Sequence, residues 1–297
     1  MREVVEQVVN ALSLGSTYAL VALGLAILFS IMGLVNFAHS EIITLAGFAM
    51  YAFVVFGIPF PFLLAPLGAI LVGALAAYVM ERVAFRPVRN SSETTMMLTS
   101  FGLSIIILSL LQTLISTRVR ALPPPDWLGG SVEVLSVRLG LLNMVTIAMT
   151  AAALLVLTFV LRRTTLGRAM RAAAEDFDAT RLMGIKADSV ILAAFVISGV
   201  LAGLACLSIV GRRATVDSNL GQSVLLMSFV ATVIGGFGRL GGAVLGGFLL
   251  GGIEVALRAT LPPSLTGLTP GFVFVVVAVL ISVKPNGLFG AGSASRV

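Results

Sequence analysis

The chain alternates long uncharged apolar runs with short polar islands. Read as α-helix at ~1.5 Å per residue against a hydrocarbon core ~30 Å thick, the runs sort by length. Val8 to Ala38 would extend ~46 Å, more than one straight pass requires. Ile42 to Met80 would extend ~58 Å and must double back, with Pro59 and Pro61 marking the turn. Thr94 to Thr117, Leu139 to Leu161 and Ser189 to Gly211 each suit a single pass, and Asn219 to Gly238 just fits. The last two runs, Leu240 to Leu257 and Leu268 to Val283, are short and are bounded by Gly235-Gly236, Gly241-Gly242, Pro262-Pro263 and Pro270. Short segments interrupted by Gly or Pro are where broken or re-entrant helices occur. The pattern predicts an all-α polytopic membrane protein of about 8–10 spanning or re-entrant helices, nine by direct reading of the runs.

Composition supports that class. Of 297 residues 58% are hydrophobic and only 11% charged, against about 25% charged in soluble domains. The polar stretches are all shorter than the ~40 residues an independent core needs, so the expectation is one transmembrane domain, 1–297. Gly, at 31 residues, is enriched within the apolar runs, where small residues let helix backbones approach closely. The net charge of +6 needs no nucleic acid to explain it, because basic loops orient spans and face anionic lipid. The single cysteine, Cys206, lies in an apolar run and reads as a small buried hydrophobe. The run behind Met1 is too long for a signal-peptide core and reads as a retained first span.

Nine alternating passes place 12 of the 19 Lys and Arg on one side and seven on the other. The positive-inside rule then puts the N-terminus outside, the C-terminus in the cytoplasm, and the loop 162–188 in the cytoplasm. Ala121 to Gly140, with Pro123, Pro124, Pro125, Asp126 and Trp127, becomes the largest external loop.

No catalytic constellation is evident. His39 is the only histidine, so no histidine pair can hold a metal, and no phosphate-binding loop for ATP is present. Polar residues interrupt apolar sequence at Asn36-Phe37-Ala38-His39-Ser40-Glu41. Two readings stand: a break facing a pathway through the membrane, or a solvated turn with Ser40 capping the next helix and Glu41 in its first turn. Gly235 to Gly252 carries GxxxG spacing at Gly242/Gly246 and Gly247/Gly251, which serves either plain packing or a helix pair lining the pathway. Glu254 and Arg258, four apart, read as an ion pair.

Thr164 to Lys186 is the longest charged run. Leu166, Ala169, Met170, Ala173 and Phe177 mark one face of a helix, Arg171 is spaced to pair with Glu175, and Gly184 suits a left-handed cap after Met183. A helix lying on lipid usually has a basic polar face. This one mixes Glu175, Asp176 and Asp178 with its arginines, which favours a protein partner over the lipid surface.

The chain resembles the membrane-spanning permease subunits of bacterial ABC importers for branched-chain amino acids. The likeness runs from Gly15-Ser16-Thr17-Tyr18-Ala19-Leu20 through Gly33 to His39, then Glu81-Arg82-Val83 with Arg86-Pro87-Val88-Arg89. It continues in Gly167-Arg168-Ala169-Met170-Arg171-Ala172 with Glu175-Asp176 and Leu182-Met183-Gly184-Ile185. It ends in Gly235-Gly236-Phe237-Gly238 with Gly242 to Gly247, and Pro285-Asn286-Gly287-Leu288-Phe289-Gly290. Ser40 departs from the family's usual glycine, and Arg212-Arg213 make the stretch after Cys206 more basic than is common.

The resemblance implies two cytoplasmic ATPase subunits docked on the coupling loop, a second homologous permease, an extracytoplasmic binding protein and no cofactor. It implies coupling roles for Gly167, Arg168, Arg171, Glu175, Asp176 and Gly184, and pathway roles for Asn36, His39, Glu41, Gly235 and Gly236. Other amino acids, urea or short amides are alternative cargoes. A gradient-driven carrier is an alternative class, disfavoured because the spans hold almost no ionisable residues beyond Glu41 and Glu254. A membrane scaffold would leave the Gly-rich interruptions without a purpose.

Overall fold

Every apolar run folds as helix in the computed structural model, which describes residues 2–57, 61–115, 117–134, 137–284 and 287–288. In order these are α1 (Arg2–Met32), α2 (His39–Val55), α3 (Pro61–Met80), α4 (Glu93–Leu114) and α5 (Leu141–Arg163). The polar helices α6 (Thr165–Glu175) and α7 (Phe177–Leu182) follow, then α8 (Ala187–Arg213), α9 (Leu220–Gly235), α10 (Leu240–Thr260) and α11 (Thr269–Val283). Among the described residues seven helices are long and apolar enough to cross a membrane, and α2 and α9 are shorter apolar helices. Together they are the nine segments expected.

The short helices are only partly where the sequence places them: α11, at 15 residues, is short as expected, but α10 is not. α10 is continuous over 21 residues, whereas α2 and α9 have 17 and 16. α11 reaches spanning length only with the 3₁₀ turn Thr266–Leu268 ahead of it. The glycines of α10 do not break it, because they are used for packing. A Cβ on Gly242 or Gly246 would come within 2.1 Å of Gly235 O and 2.0 Å of Ala231 O on α9. One on Gly247 or Gly251 would come within 2.5 Å of Ala19 N and 2.3 Å of Gly15 N on α1. Each GxxxG pair therefore seats α10 against a different neighbour, the close backbone approach that small residues permit.

α1 is the central post, buried almost continuously from Ser13 to Leu28, with α10, α8, α9 and α5 around it. α3 lies on α8 and α2. α4, α5 and α11 bury only three residues each and present their remaining apolar surface outward. α3 runs on through a π turn, Glu81–Phe85, and a last turn, Arg86–Val88. Pro61 opens α3, and Pro59 lies outside the described residues.

The loop between α4 and α5 carries small β ribbons. β1 (Arg120–Ala121) pairs antiparallel with β4 (Thr215–Val216), and β2 (Ser131–Val134) pairs with β3 (Val137–Gly140). The first pairing, with Leu122 N donating to Ala214 O at 2.8 Å, ties this loop to the end of α8. Trp127 stands exposed on a 3₁₀ turn. Of the terminal motif, Gly287 and Leu288 are described. Leu288 N donates to Ile234 O at 2.8 Å, and Gly287, at φ +77°, lies against Gly236 N.

Candidate functional site

The break between α1 and α2 is buried. Asn36 and His39 have no exposed surface and Glu41 almost none, so a solvated turn is not what forms. The N-cap of α2 is Ala38, without a side-chain cap, so Ser40 does not cap it. Instead Asn36 Oδ1 accepts from Ala38 N at 3.1 Å, and Ser40 Oγ reaches Phe37 O at 2.9 Å and Glu41 Oε1 at 3.0 Å. Ser104 Oγ donates to the same Glu41 oxygen at 2.9 Å. Gly221 lies against the backbone of Ser40: a Cβ on it would come within 2.0 Å of Ser40 O. Gly221 N donates to Thr44 Oγ1 at 3.2 Å, so the starts of the two short helices meet.

His39 lies against Gly24, which is ~12 Å up α1 from its end at Met32. Ser198 of α8 approaches His39 Nδ1 at 3.2 Å and Gly24 O at 3.1 Å. Ser198 has one hydroxyl proton, and the carbonyl can only accept. The hydroxyl therefore donates to Gly24 O and receives the Nδ1 proton. That leaves Nε2 as a buried acceptor, and among the described residues it, Asn36 Nδ2 and Glu41 Oε2 have no hydrogen-bond partner. These three buried polar atoms fall within six residues, at the break itself. Ser198→Ala removes the acceptor from His39 and is expected to cost about 1–3 kcal/mol. Thermal unfolding of the detergent-solubilised protein checks this, and Ser198→Thr should recover part of the loss.

Gly235 is packed against α10 and so touches backbone rather than a lumen. Gly236 takes φ +91° in the turn from α9 to α10, a conformation that favours glycine. Rings connect this turn to the break: Phe37 lies 6.5 Å from Phe229, Phe229 5.7 Å from Phe237, and Phe237 4.7 Å from Phe29. The structure thus brings Asn36, His39 and Gly236 to one neighbourhood and sets Gly235 in a helix contact beside it.

The charged segment folds as two helices. Asp176 ends α6 and caps α7, its Oδ1 accepting from Ala179 N at 2.9 Å. The buried face of α6 is Gly167, Met170 and Ala173, with Leu166 exposed rather than inward. Among the described residues no ion pair joins Arg171 to Glu175, and both are exposed along with Arg168 and Asp176. Thr164 caps α6 by accepting from Gly167 N at 3.0 Å. A Cβ on Gly167 would lie 2.2 Å from Val160 O, so α6 folds back hard against the end of α5. Gly184 adopts φ +81° after Met183, as its position implies. Beside it Leu182 and Met183 are 88% and 82% exposed, two large apolar side chains standing at the tip of a charged excursion.

Residues not singled out from sequence tie this excursion to the bundle. Asp188, in the first turn of α8, pairs with Arg86 at 3.0 Å and Arg89 at 2.8 Å. Phe85 of the π turn packs on Phe195 of α8 with ring centroids 5.0 Å apart, both fully buried. Arg212 and Arg213, the basic pair after Cys206, lie exposed at the end of α8 and bond to neighbouring helices. Arg212 bonds Ser13 Oγ and Asn143 Oδ1, and Arg213 bonds Ser223 Oγ. Glu254 does pair with Arg258, at 2.6 Å, but it is buried and also accepts from Tyr18 Oη at 2.5 Å.

A bundle of apolar helices around a buried polar break, with one charged helical excursion, defines a multi-pass membrane transport component. The family described as "Branched-chain amino acid transport system / permease component" matches residues 7–278, and the chain belongs to it. It is 32% identical to the high-affinity branched-chain amino acid transport system permease protein LivH of Salmonella typhimurium, over 98% of this chain and 97% of that one. It is 28% identical to BraD of Pseudomonas aeruginosa over the same shares. Its fold is similar to PsaBC from Streptococcus pneumoniae, solved in complex with Fab. There the TM-score is 0.52 at 15% identity, covering 93% of this chain and 91% of that one.

Proposed function

We propose that the chain, as one transmembrane domain over 1–297, forms half of the pathway by which an ABC importer carries branched-chain amino acids across the inner membrane. The observation that carries this reading is the end-to-end likeness to LivH and BraD, whose names specify that transport system. In this reading an extracytoplasmic binding protein supplies cargo and a second, homologous permease completes the pathway. Two ATPase subunits dock on 162–188 from the cytoplasm, with the N-terminus outside. The sequence has no phosphate-binding loop of its own, so ATP must be handled by those partners.

The exposed polar face of α6 and α7, with Arg168, Arg171, Glu175 and Asp176 and the apolar tip at Leu182 and Met183, suits a protein groove. Asp188 and the Phe85–Phe195 contact would pass movement of that segment into α3 and α8. α8 carries Ser198, and with it the hold on His39. Asn36, His39, Glu41 and Gly236 are then the polar part of the pathway, with Gly235 fixing the turn beside them.

Reconstitution tests the reading. The chain co-expressed with its neighbouring permease, ATPases and binding protein should take up L-leucine into proteoliposomes only with ATP inside the ATPase-facing compartment. Uptake driven by an ion gradient without ATP would overturn it, and uptake of urea in place of leucine would change the cargo. Glu175→Lys should reduce leucine uptake about tenfold or more while ATP hydrolysis continues, because charge reversal at a docking rim disfavours the matched partner. Normal uptake by that variant would remove Glu175 from the interface.

A further inference from the structure

A second polar place lies at the opposite end of the bundle from α6. The ends of α8 and α10, with the first half of α1, enclose a cavity of about 650 Å³, inside the ~300–1,000 Å³ range of small-molecule sites. Building on the proposed function, we infer that this cavity is an entry site for the cargo. In it Arg212 and Arg258 hold the carboxylate of an apolar α-amino acid.

The bonding inventory supports this. Glu254 is 3% exposed, and both of its oxygens are occupied, Oε2 by Tyr18 and Oε1 by Arg258. Its carboxylate is therefore spent on positioning Arg258 and is not offered to a ligand. Arg212 is held the same way: Nη2 donates to Ser13 Oγ and to Asn143 Oδ1 at 3.2 Å, and Asn143 Nδ2 donates to Asn10 Oδ1 at 2.7 Å. Each guanidinium spends Nη2 on the protein. Among the described residues, Nε and Nη1 of both make no hydrogen bond, which leaves charged N–H donors on both side chains for a carboxylate to accept. With Arg213 also at the rim, the cavity holds three guanidiniums and one carboxylate, so an anionic group is favoured there. Asn10 Oδ1 retains an acceptor lone pair for an ammonium group. Leu14, Leu142, Ile209, Val224 and Val255 supply an apolar wall for an aliphatic side chain.

The test uses the complete importer in phosphatidylcholine nanodiscs, a diazirine analogue of leucine as photoprobe, and mass spectrometry of the labelled peptides. Label is expected in the segments 7–18, 209–213 and 254–259, suppressed about tenfold by excess L-leucine but little by leucinamide, which lacks the carboxylate. Arg212→Gln should suppress it similarly, as should the double substitution Glu254→Gln with Arg258→Gln. The double variant removes both charges together and leaves no lone buried carboxylate. Label that ignores both variants, or that leucinamide displaces as well as leucine does, overturns the inference. So does label that is displaced by phosphatidylglycerol in the nanodisc and not by leucine, which would make the cavity a lipid headgroup site. Leucine uptake by the same importer reconstituted in proteoliposomes separates the two levels. Uptake without cavity label sinks the entry site alone, whereas absent uptake and absent label sink the cargo assignment as well.

Discussion

Gly247→Leu is expected to prevent the transporter from folding to a stable form. Gly247 is where α10 meets α1, and α1 is the post on which the bundle is built. Even a Cβ would sit 2.5 Å from Ala19 N and 2.6 Å from Ala19 Cα, backbone atoms that have no rotamer to escape into. Overpacking that side chains can absorb costs about 1–3 kcal/mol. Here the helices themselves must part, and the contact at Gly251 and Gly15 is lost with them. Size-exclusion chromatography of the solubilised protein should show aggregate in place of a single peak. Gly247→Ala should remain folded with a lowered unfolding temperature. Gly252→Ala is the control: its Cβ would meet nothing within 4 Å, and alanine favours helix by about 1 kcal/mol over glycine. A Gly247→Leu protein as heat-resistant as the parent would contradict the packing described.

Gly167→Val should separate ATP hydrolysis from transport. The Thr164 cap and the absence of a side chain at Gly167 let α6 start directly on the last turn of α5, with Val160 O only 2.2 Å from where a Cβ would be. A valine there levers the start of α6 outward while the nine apolar helices keep their contacts. Insertion and expression are therefore expected near normal. Leucine uptake in proteoliposomes should fall about a hundredfold, equivalent to about 3 kcal/mol of lost coupling, while residual ATPase activity persists. Gly184→Ala should be milder, because the left-handed backbone costs about 1–2 kcal/mol but no neighbour lies within 4 Å. If the Gly167 variant transports normally, 162–188 is not the coupling segment.

The number of apolar helices was readable from the chain because bilayer thickness sets a length that charges and prolines punctuate. Which of them are short was readable at α11 but not at α10, α2 and α9. A glycine that interrupts a helix and one that seats a helix on its neighbour look alike in sequence. In α10 the intrachain ladder survives because it is the means of satisfying backbone groups within a bilayer. The charged excursion was legible from its periodicity and composition, but its division at Asp176 was not, since aspartate caps a helix as readily as it decorates one. The burial of the His39 break was suggested by the length of the run before it. Its anchor, Ser198, was hidden as one small hydroxyl in an apolar run 159 residues away. Glu254 was correctly spaced for Arg258, yet the partner that buries it, Tyr18, is 236 positions distant and invisible to any local pattern.

α8 has a consequence of its own. Its 27 residues include no proline and form one rod about 40 Å long. Asp188 sits at one end, Ser198 partway along, and Arg212 at the other. A stiff member gripped at both ends behaves as a lever arm: a tilt of only 5° about its foot sweeps the far tip through about 3.5 Å. The place where a cytoplasmic motor would push and the place where an outer cavity would empty are therefore two points on a single mechanical part. What happens at one need not be relayed to the other through the lipid-facing helices.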